Sequence, residues 1–348
     1  MGNCLRTSEK LTAEIVPHDG PSVYPAVRLR GSPNTVLTAY TRFVLLQNAV
    51  SSDNVSASRP PAVVPSSAAR GRGFKPEIPV TFQVGSGVAS GSRDALLRFI
   101  DSKFPDLPPE TEVAPTIVAE IDSEDEEETT SLVVRVTRLQ HKSMTWHVER
   151  MVKWAEDLAT RGGRRAVDPK VGTWKMEVVK FGRSYSQLLE VMMEHAQMEE
   201  RVLFPIFDKA DRGLSKAAKE EHARDLPIMN GIKEIIKSVE VLDSRSPNYR
   251  ETLYNLSSRL KSLQGQCQQH FMEEELELLP IMEAVELSKE QDESALELCF
   301  VVMQGTHGRL LKFLLEGLPP RDAMKYLDLI SMCRDKERME SMLRMVVK

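Results

Sequence analysis

Cysteine is scarce in this chain of 348 residues: there are four, Cys4, Cys267, Cys299 and Cys333, and no two form a C-x-x-C pair. Such spacing excludes a disulfide-stapled scaffold and a zinc finger, and it suits a reducing, intracellular compartment. Long apolar runs are missing too. No stretch reaches the roughly 18 residues of a membrane span, and the first residues lack the basic-then-apolar pattern of a secretory signal. Positive charge is not in excess: 46 Lys and Arg stand against 51 Asp and Glu, a formal net charge of −5, so nucleic acid is not an expected partner. The length exceeds what one core usually serves, which predicts a multidomain protein.

Residues 1–25 read as a flexible start. They open Met-Gly-Asn-Cys, offering Gly2 for myristoylation and Cys4 for palmitoylation, the two signals that stable lipid anchoring needs. Arg6 stands where that acceptor pattern has Ser or Thr, so a plain unmodified terminus stays open beside peripheral attachment to a membrane.

Residues 26–104 read as a small α/β domain. AVRLRGSP (26–33) alternates like a strand and LTAYTRFVLLQ (37–47) has helical spacing. A Ser/Pro/Arg-rich stretch at 51–74 reads as a mobile insertion. EIPVTFQV (77–84) is a second strand and SRDALLRFIDSKF (92–104) a second helix. The acidic, Pro-bearing segment 105–130 buries too little apolar area to offset the entropy of ordering and is predicted to be a linker.

From 131 to the end the punctuation is helical. Breaks at Gly162-Gly163, Asp211-Arg212-Gly213, Ser246-Pro247 and Gly317-Leu318-Pro319-Pro320 predict long helices near 131–161, 174–210, 214–243, 248–287, 290–316 and 320–345. Short connections favour antiparallel neighbours, hence an up-down four-helix bundle over 131–287 with a helical extension over 288–348.

HAQMEERVLFPIF (195–207) and HFMEEELELLPIM (270–282) share H-x-x-x-E-E-x-x-L-x-P-I, 75 positions apart. On a helix i and i+4 lie on one face, so His195 projects with Glu199 and His270 with Glu274, each pair half of a metal site. Glu200 and Glu275 fall about 100° further round and suit a solvated or outer supporting role. His222 completes a third helix: about 20 residues carry it to its helix end and about 22 carry His270 back to its helix start, so the two are level. The first helix offers His141 and His147. His141 is 20 residues from Arg161, matching the 21 from Trp174 to His195, and it has Met144, Val148 and Met151 on its face. His147 lies six residues nearer that end, about 9 Å out of level, although a strict 48-residue repeat favours it. His141 is the preferred ligand. His307 and His18 fall outside the scheme, and Leu188, Met192, Met193, Met198 and Val202 read as core packing. Imidazole with carboxylate suits iron or manganese better than thiolate-seeking metals.

These residues resemble the hemerythrin family in its H-H-E cation-binding branch. The nearest likeness is to the hemerythrin-like domains of plant BRUTUS-type iron-sensing ubiquitin ligases, carried by His141-Lys142, His195 to Pro205, His222 and His270 to Pro280, with LLKFLLEGLPPRDAMKYLDLI (310–330) similar to their helical extension. The resemblance implies two irons held by His141, His195, Glu199, His222, His270 and Glu274, with an exchangeable position for O2, NO, peroxide or a bridging oxide. It implies iron or oxygen binding or sensing rather than turnover catalysis. Four scattered cysteines cannot supply those ligases' zinc modules, so ligase activity is not carried over. Residues 26–104 resemble the thioredoxin-like half of glutathione transferases, which implies roles for Ser32, Pro79 and Ser92 in holding glutathione; the absence of C-x-x-C favours a degenerate, non-catalytic version. Two alternatives stay open: a glutathione-transferase-like enzyme, and a membrane-tethered scaffold whose metal only stabilises the bundle.

Overall fold

The computed structural model describes residues 27–30, 36, 38–39, 41, 55–57, 81–84, 87–90, 96, 99, 130–164, 172–210, 212–285 and 287–347. The chain divides into two compact units, one of Met1–Ser32 with Thr41–Leu107 and one of Pro33–Tyr40 with Pro108–Lys348. Gly2, Cys4, Ser32, Pro79 and Ser92 lie outside the described residues, as does all but the last residue of the 105–130 segment.

The first unit holds one sheet in the order β2-β1-β3-β4. Its strands are β1 (Val27–Arg30), β2 (Val55–Ala57), β3 (Thr81–Val84) and β4 (Gly87–Ser90). β2 runs parallel to β1 with Val27 opposite Val55, whereas β3 is antiparallel to both β1 and β4. Two sequence expectations need correcting here. The stretch 51–74 was expected to carry no element, yet Val55–Ala57 pairs with β1. β4 was not expected, because Gly-Val-Ala-Ser lacks the apolar alternation that marks a longer strand. Residues 38, 39, 41, 96 and 99 are helical and fall in the two expected helices, and Val36, also helical, lies one position before the first.

The second unit is helical. α1 (Leu132–Arg161), α2 (Trp174–Met198), α4 (Lys216–Val241) and α5 (Pro247–Glu273) are its long rods. α2 continues through a π turn, Glu199–Leu203, into α3 (Phe204–Ala210). α5 does the same through Glu274–Leu278 into α6 (Leu279–Ala284). α1 packs on α2 and α5, and α4 closes the ring by packing on the same two. α1 ends where Gly162 adopts φ 54, a left-handed conformation that glycine takes without side-chain clash, and its N–H donates to Leu158 O.

α7 (Lys289–Val302), α8 (Leu311–Glu316), α9 (Pro320–Ser331) and α10 (Lys336–Val347) form the extension. The spacing predicts single helices over 290–316 and 320–345, and each is broken. Glu194 on α2 accepts from Gly305 N at 3.0 Å, Thr306 N at 2.7 Å and Thr306 Oγ1 at 2.7 Å, holding residues 303–310 as successive turns. A Cβ on Gly305 would come within 2.6 Å of that carboxylate. The second break follows from Asp335, whose side chain accepts from Arg338 N at 3.0 Å and so starts α10 afresh.

The extension is built onto α1. Asp292 accepts from Ser131 Oγ at 2.6 Å and from Leu132 N at 2.8 Å, satisfying a helix start that has no cap of its own. Further along, Ser143 donates to Leu314 O at 2.6 Å and His147 Nε2 donates to Phe313 O at 2.7 Å. Gly317 lies so close that a Cβ there would stand 2.7 Å from the Ser143 carbonyl oxygen. Among the described residues no helix is long and apolar enough to cross a membrane.

Candidate metal centre

Both repeats place their glutamate at the first residue of a π turn. Phe204 N–H donates to Glu199 O and Leu279 N–H to Glu274 O, five residues back in each case. The prolines that follow supply the cause. Pro205 and Pro280 have no N–H to offer, and in a regular helix each ring would clash with the carbonyl four residues earlier. Widening the turn before the ring relieves that clash. The widening begins only at the glutamates, whose N–H groups still donate to His195 O and His270 O, so that i and i+4 meet in each pair as they do on an α-helix.

Six side chains converge between α1, α2, α4 and α5. His141, His195, Glu199 and Glu274 offer ligand atoms within 4.8 Å of one another, and so do Glu199, His222, His270 and Glu274. The two carboxylates belong to both groups. Within the first, His141 Nε2 lies 3.1 Å from His195 Nε2, 3.6 Å from Glu199 Oε1 and 3.4 Å from Glu274 Oε2, and His195 Nε2 lies 2.9 Å from Glu199 Oε1. Within the second, His222 Nε2 lies 3.2 Å from His270 Nε2 and 3.3 Å from Glu199 Oε2, and His270 Nε2 lies 3.5 Å from Glu274 Oε2. His141, His195, Glu199, His270 and Glu274 are buried and His222 is nearly so.

Each imidazole is aimed from behind. His141 Nδ1 donates to Glu275 Oε1 at 2.9 Å, His222 Nδ1 to Glu200 Oε1 at 3.1 Å and His270 Nδ1 to Glu221 Oε2 at 2.8 Å. His195 differs in having an amide partner, Gln140 Oε1 at 2.8 Å. Because these oxygens only accept, each Nδ1 carries a proton, and the four Nε2 atoms face inward, where loss of any second proton frees a lone pair for a cation. Glu199 Oε2 and Glu274 Oε2 are buried there without a hydrogen-bond donor. Four inward nitrogens, two carboxylates and orphaned oxygens make a pocket that demands positive charge, which protons on the imidazoles or a bound cation can supply.

The acid–base behaviour of the cluster reports the same demand for positive charge. Burial opposes charging His141, yet Glu199, Glu274 and Glu275 hold it well above the ordinary histidine range. Burial likewise opposes His222, but Glu199 raises it to about 9. Glu199 is pushed up by burial and pulled further down by His195, His141 and His222, so it lies well below the usual carboxylate range. Burial and the neighbouring Glu199 charge raise Glu274, and burial lowers His195. Metal binding at such a cluster exchanges protons for the cation.

His147 does not join the six. It is buried one turn and more along α1, stacked on Phe313 at 3.8 Å between ring centroids, and burial lowers its pKa to about 4. Phe271 instead stacks on His141 at 4.3 Å. Met198, Val202, Phe204, Leu279 and Met303 lie in a hydrophobic cluster with Val133 and Val134, and Leu188 and Met192 are buried as a packing role requires, whereas Met193 is exposed and does not belong to the core stripe. His307 is buried outside the cluster, as its spacing predicts. Gln140 and Glu221 went unnoticed in the sequence; each directly precedes a cluster histidine, and on a helix that offset gives no sign of reaching a neighbouring rod.

No curated protein and no solved structure matches this chain. The family model described as Hemerythrin HHE cation binding domain matches residues 132–286, the segment that runs from the start of α1 to just beyond α6 and contains all six converging side chains. Residues 132–286 are thus similar to a hemerythrin HHE cation-binding domain.

Proposed function

We propose that this domain holds two iron ions, one between His141 and His195 and one between His222 and His270, with Glu199 and Glu274 shared by both, and that it binds or senses iron together with a small diatomic ligand such as O2 or NO. The observation that carries this reading is the pair of overlapping groups meeting at two carboxylates whose Oε2 atoms are buried without a donor. Iron bound there supplies redox chemistry and an exchangeable position for the diatomic ligand.

The residues' part is selection and insulation. Two carboxylates within the cluster, and Glu200, Glu221 and Glu275 behind the imidazoles, offset the charge of two buried cations. Nitrogen and oxygen donors without thiolate suit iron, and Mn(II) competes on the same terms. The two halves differ in access. His141 lies among packed side chains, whereas His270 borders a recess of about 400 Å³ lined by Glu221, Asp225, Gln266 and Gln269 between α4 and α5. That side is the route for ions and ligand.

Purified full-length protein, reduced and then exposed to O2 or NO, tests the reading. A charge-transfer absorption that appears on addition and vanishes in His270→Ala supports it; an unchanged spectrum with iron bound rejects ligand binding.

For the first unit, a thioredoxin-like reading is supported by the mixed sheet, with β1 and β2 parallel, β3 and β4 an antiparallel pair, and helical residues Leu96 and Phe99 after β4. Its role as a glutathione-binding or vestigial module is part of the same proposal.

A further inference from the structure

A line of buried polar groups leaves the cluster behind His195 and ends in the extension. Gln140 Oε1 lies 2.8 Å from His195 Nδ1, Gln140 Nε2 lies 3.0 Å from Tyr326 Oη, Tyr326 Oη lies 2.7 Å from His307 Nε2, and His307 Nδ1 lies 2.9 Å from Met303 O. Gln140, Tyr326 and His307 are buried. Gln140 belongs to α1, His307 to the turns after α7 and Tyr326 to α9.

The chain has one consistent direction. Met303 O can only accept, so His307 carries its proton on Nδ1 and leaves Nε2 as an acceptor. Burial lowers the His307 pKa to about 4, which keeps the ring neutral. Tyr326 therefore donates to His307 Nε2 and must receive a proton from Gln140 Nε2–H. That fixes the amide: its oxygen faces His195 and accepts from Nδ1–H. Turning the amide over would set Gln140 Oε1 and His307 Nε2 against each other for one tyrosine proton. It would also offer an N–H to His195 Nδ1, driving the ring proton to Nε2, where it points into the cluster. The other three cluster histidines need no such chain, because a carboxylate accepts in either orientation.

We propose that Tyr326 and His307, acting through Gln140, are positioning residues that hold His195 in the tautomer able to bind a cation, so that the extension sets the affinity of the His141–His195 half of the centre. This rests on the two-ion reading above. It also runs in reverse: a cation at that half favours the docked extension by the same free energy. Glu194, next to His195, grips the turns that carry His307 and so locks the far end of the chain to the same helix.

The test uses full-length protein with zinc(II) as a diamagnetic probe. Affinity is read by competition with a chromophoric chelator, and the His195 ring proton by two-bond ¹H–¹⁵N correlation. Tyr326→Phe removes one hydroxyl and should weaken one of the two zinc steps roughly tenfold while loosening the Nδ1–H assignment of His195. His307→Leu breaks the chain at its far end and should do the same, which keeps the test usable if either variant folds poorly. His147→Gln disturbs the contact of the extension with α1 but not the chain, and should leave both zinc steps unchanged. Wild-type affinity in Tyr326→Phe, or equal weakening in Tyr326→Phe and His147→Gln in proportion to lost thermal stability, overturns the proposal. His195→Ala separates the two readings: if it still binds two zinc ions as tightly as wild type, the metal centre itself is misassigned.

Discussion

Replacing His147 and His141 one at a time distinguishes a packing histidine from a ligand on the same helix. His147→Ala removes a buried hydrogen bond of 2.7 Å to Phe313 O and a stacked ring contact of 3.8 Å. A buried carbonyl left without its donor costs about 1–3 kcal/mol. Losing the aromatic pair adds about 0.5–1.5 kcal/mol. The sum, about 1.5–4.5 kcal/mol, corresponds in a helical unit of this size to a fall in Tm of roughly 3–18 °C. Iron content should not change, because no cluster atom is touched. His141→Ala should reverse the pattern: it removes a nitrogen that faces both shared carboxylates and should lose at least one iron per chain. Calorimetry and metal analysis of the same samples read both effects. Half the iron lost from a folded His147→Ala protein, with His141→Ala fully loaded, would refute the assignment.

Gly317→Ala forces a methyl to within 2.7 Å of the Ser143 carbonyl, where backbone meets backbone, and should destabilise the extension by about 1–3 kcal/mol, read as lower thermal stability and faster proteolysis after residue 303. Stability should also fall as pH drops from about 6.5 to about 4. Burial holds His147 and His307 at about 4 in the folded chain, below their unfolded value, so the unfolded state takes up more protons in that window. Each contributes up to about 3 kcal/mol to that loss. Denaturation in urea with excess chelator present, so that metal release adds nothing, should show the slope and its reduction in His147→Gln; a flat profile would contradict the burial argument.

The four-rod plan was legible because its signals are local and periodic. Gly162-Gly163 and Ser246-Pro247 punctuate the helices, and counting residues from His222 and His270 to their helix ends places both at one depth. The i and i+4 rule paired His195 with Glu199 and His270 with Glu274. What escaped was set by contacts between distant segments. The breaks at 303–310 and 332–335 depend on Glu194 and Asp335 capturing backbone donors, which periodicity does not encode. The π turns were hidden although their cause, Pro205 and Pro280, lies in the repeat itself. The line from Gln140 to His307 spans more than 160 positions and becomes visible only when α9 is seated on α1. In the first unit, three residues of β2 pair with β1 inside a stretch whose composition argues against any element.

The central claim is that two cations sit side by side between the four rods. Anomalous difference maps from crystals of the iron-loaded protein, recorded at the iron absorption edge, test it most directly. Two peaks are expected, one between His141 and His195 and the other between His222 and His270, each also touching Glu199 and Glu274. A single peak, a peak beside His147, or none in protein shown by metal analysis to carry iron would contradict it.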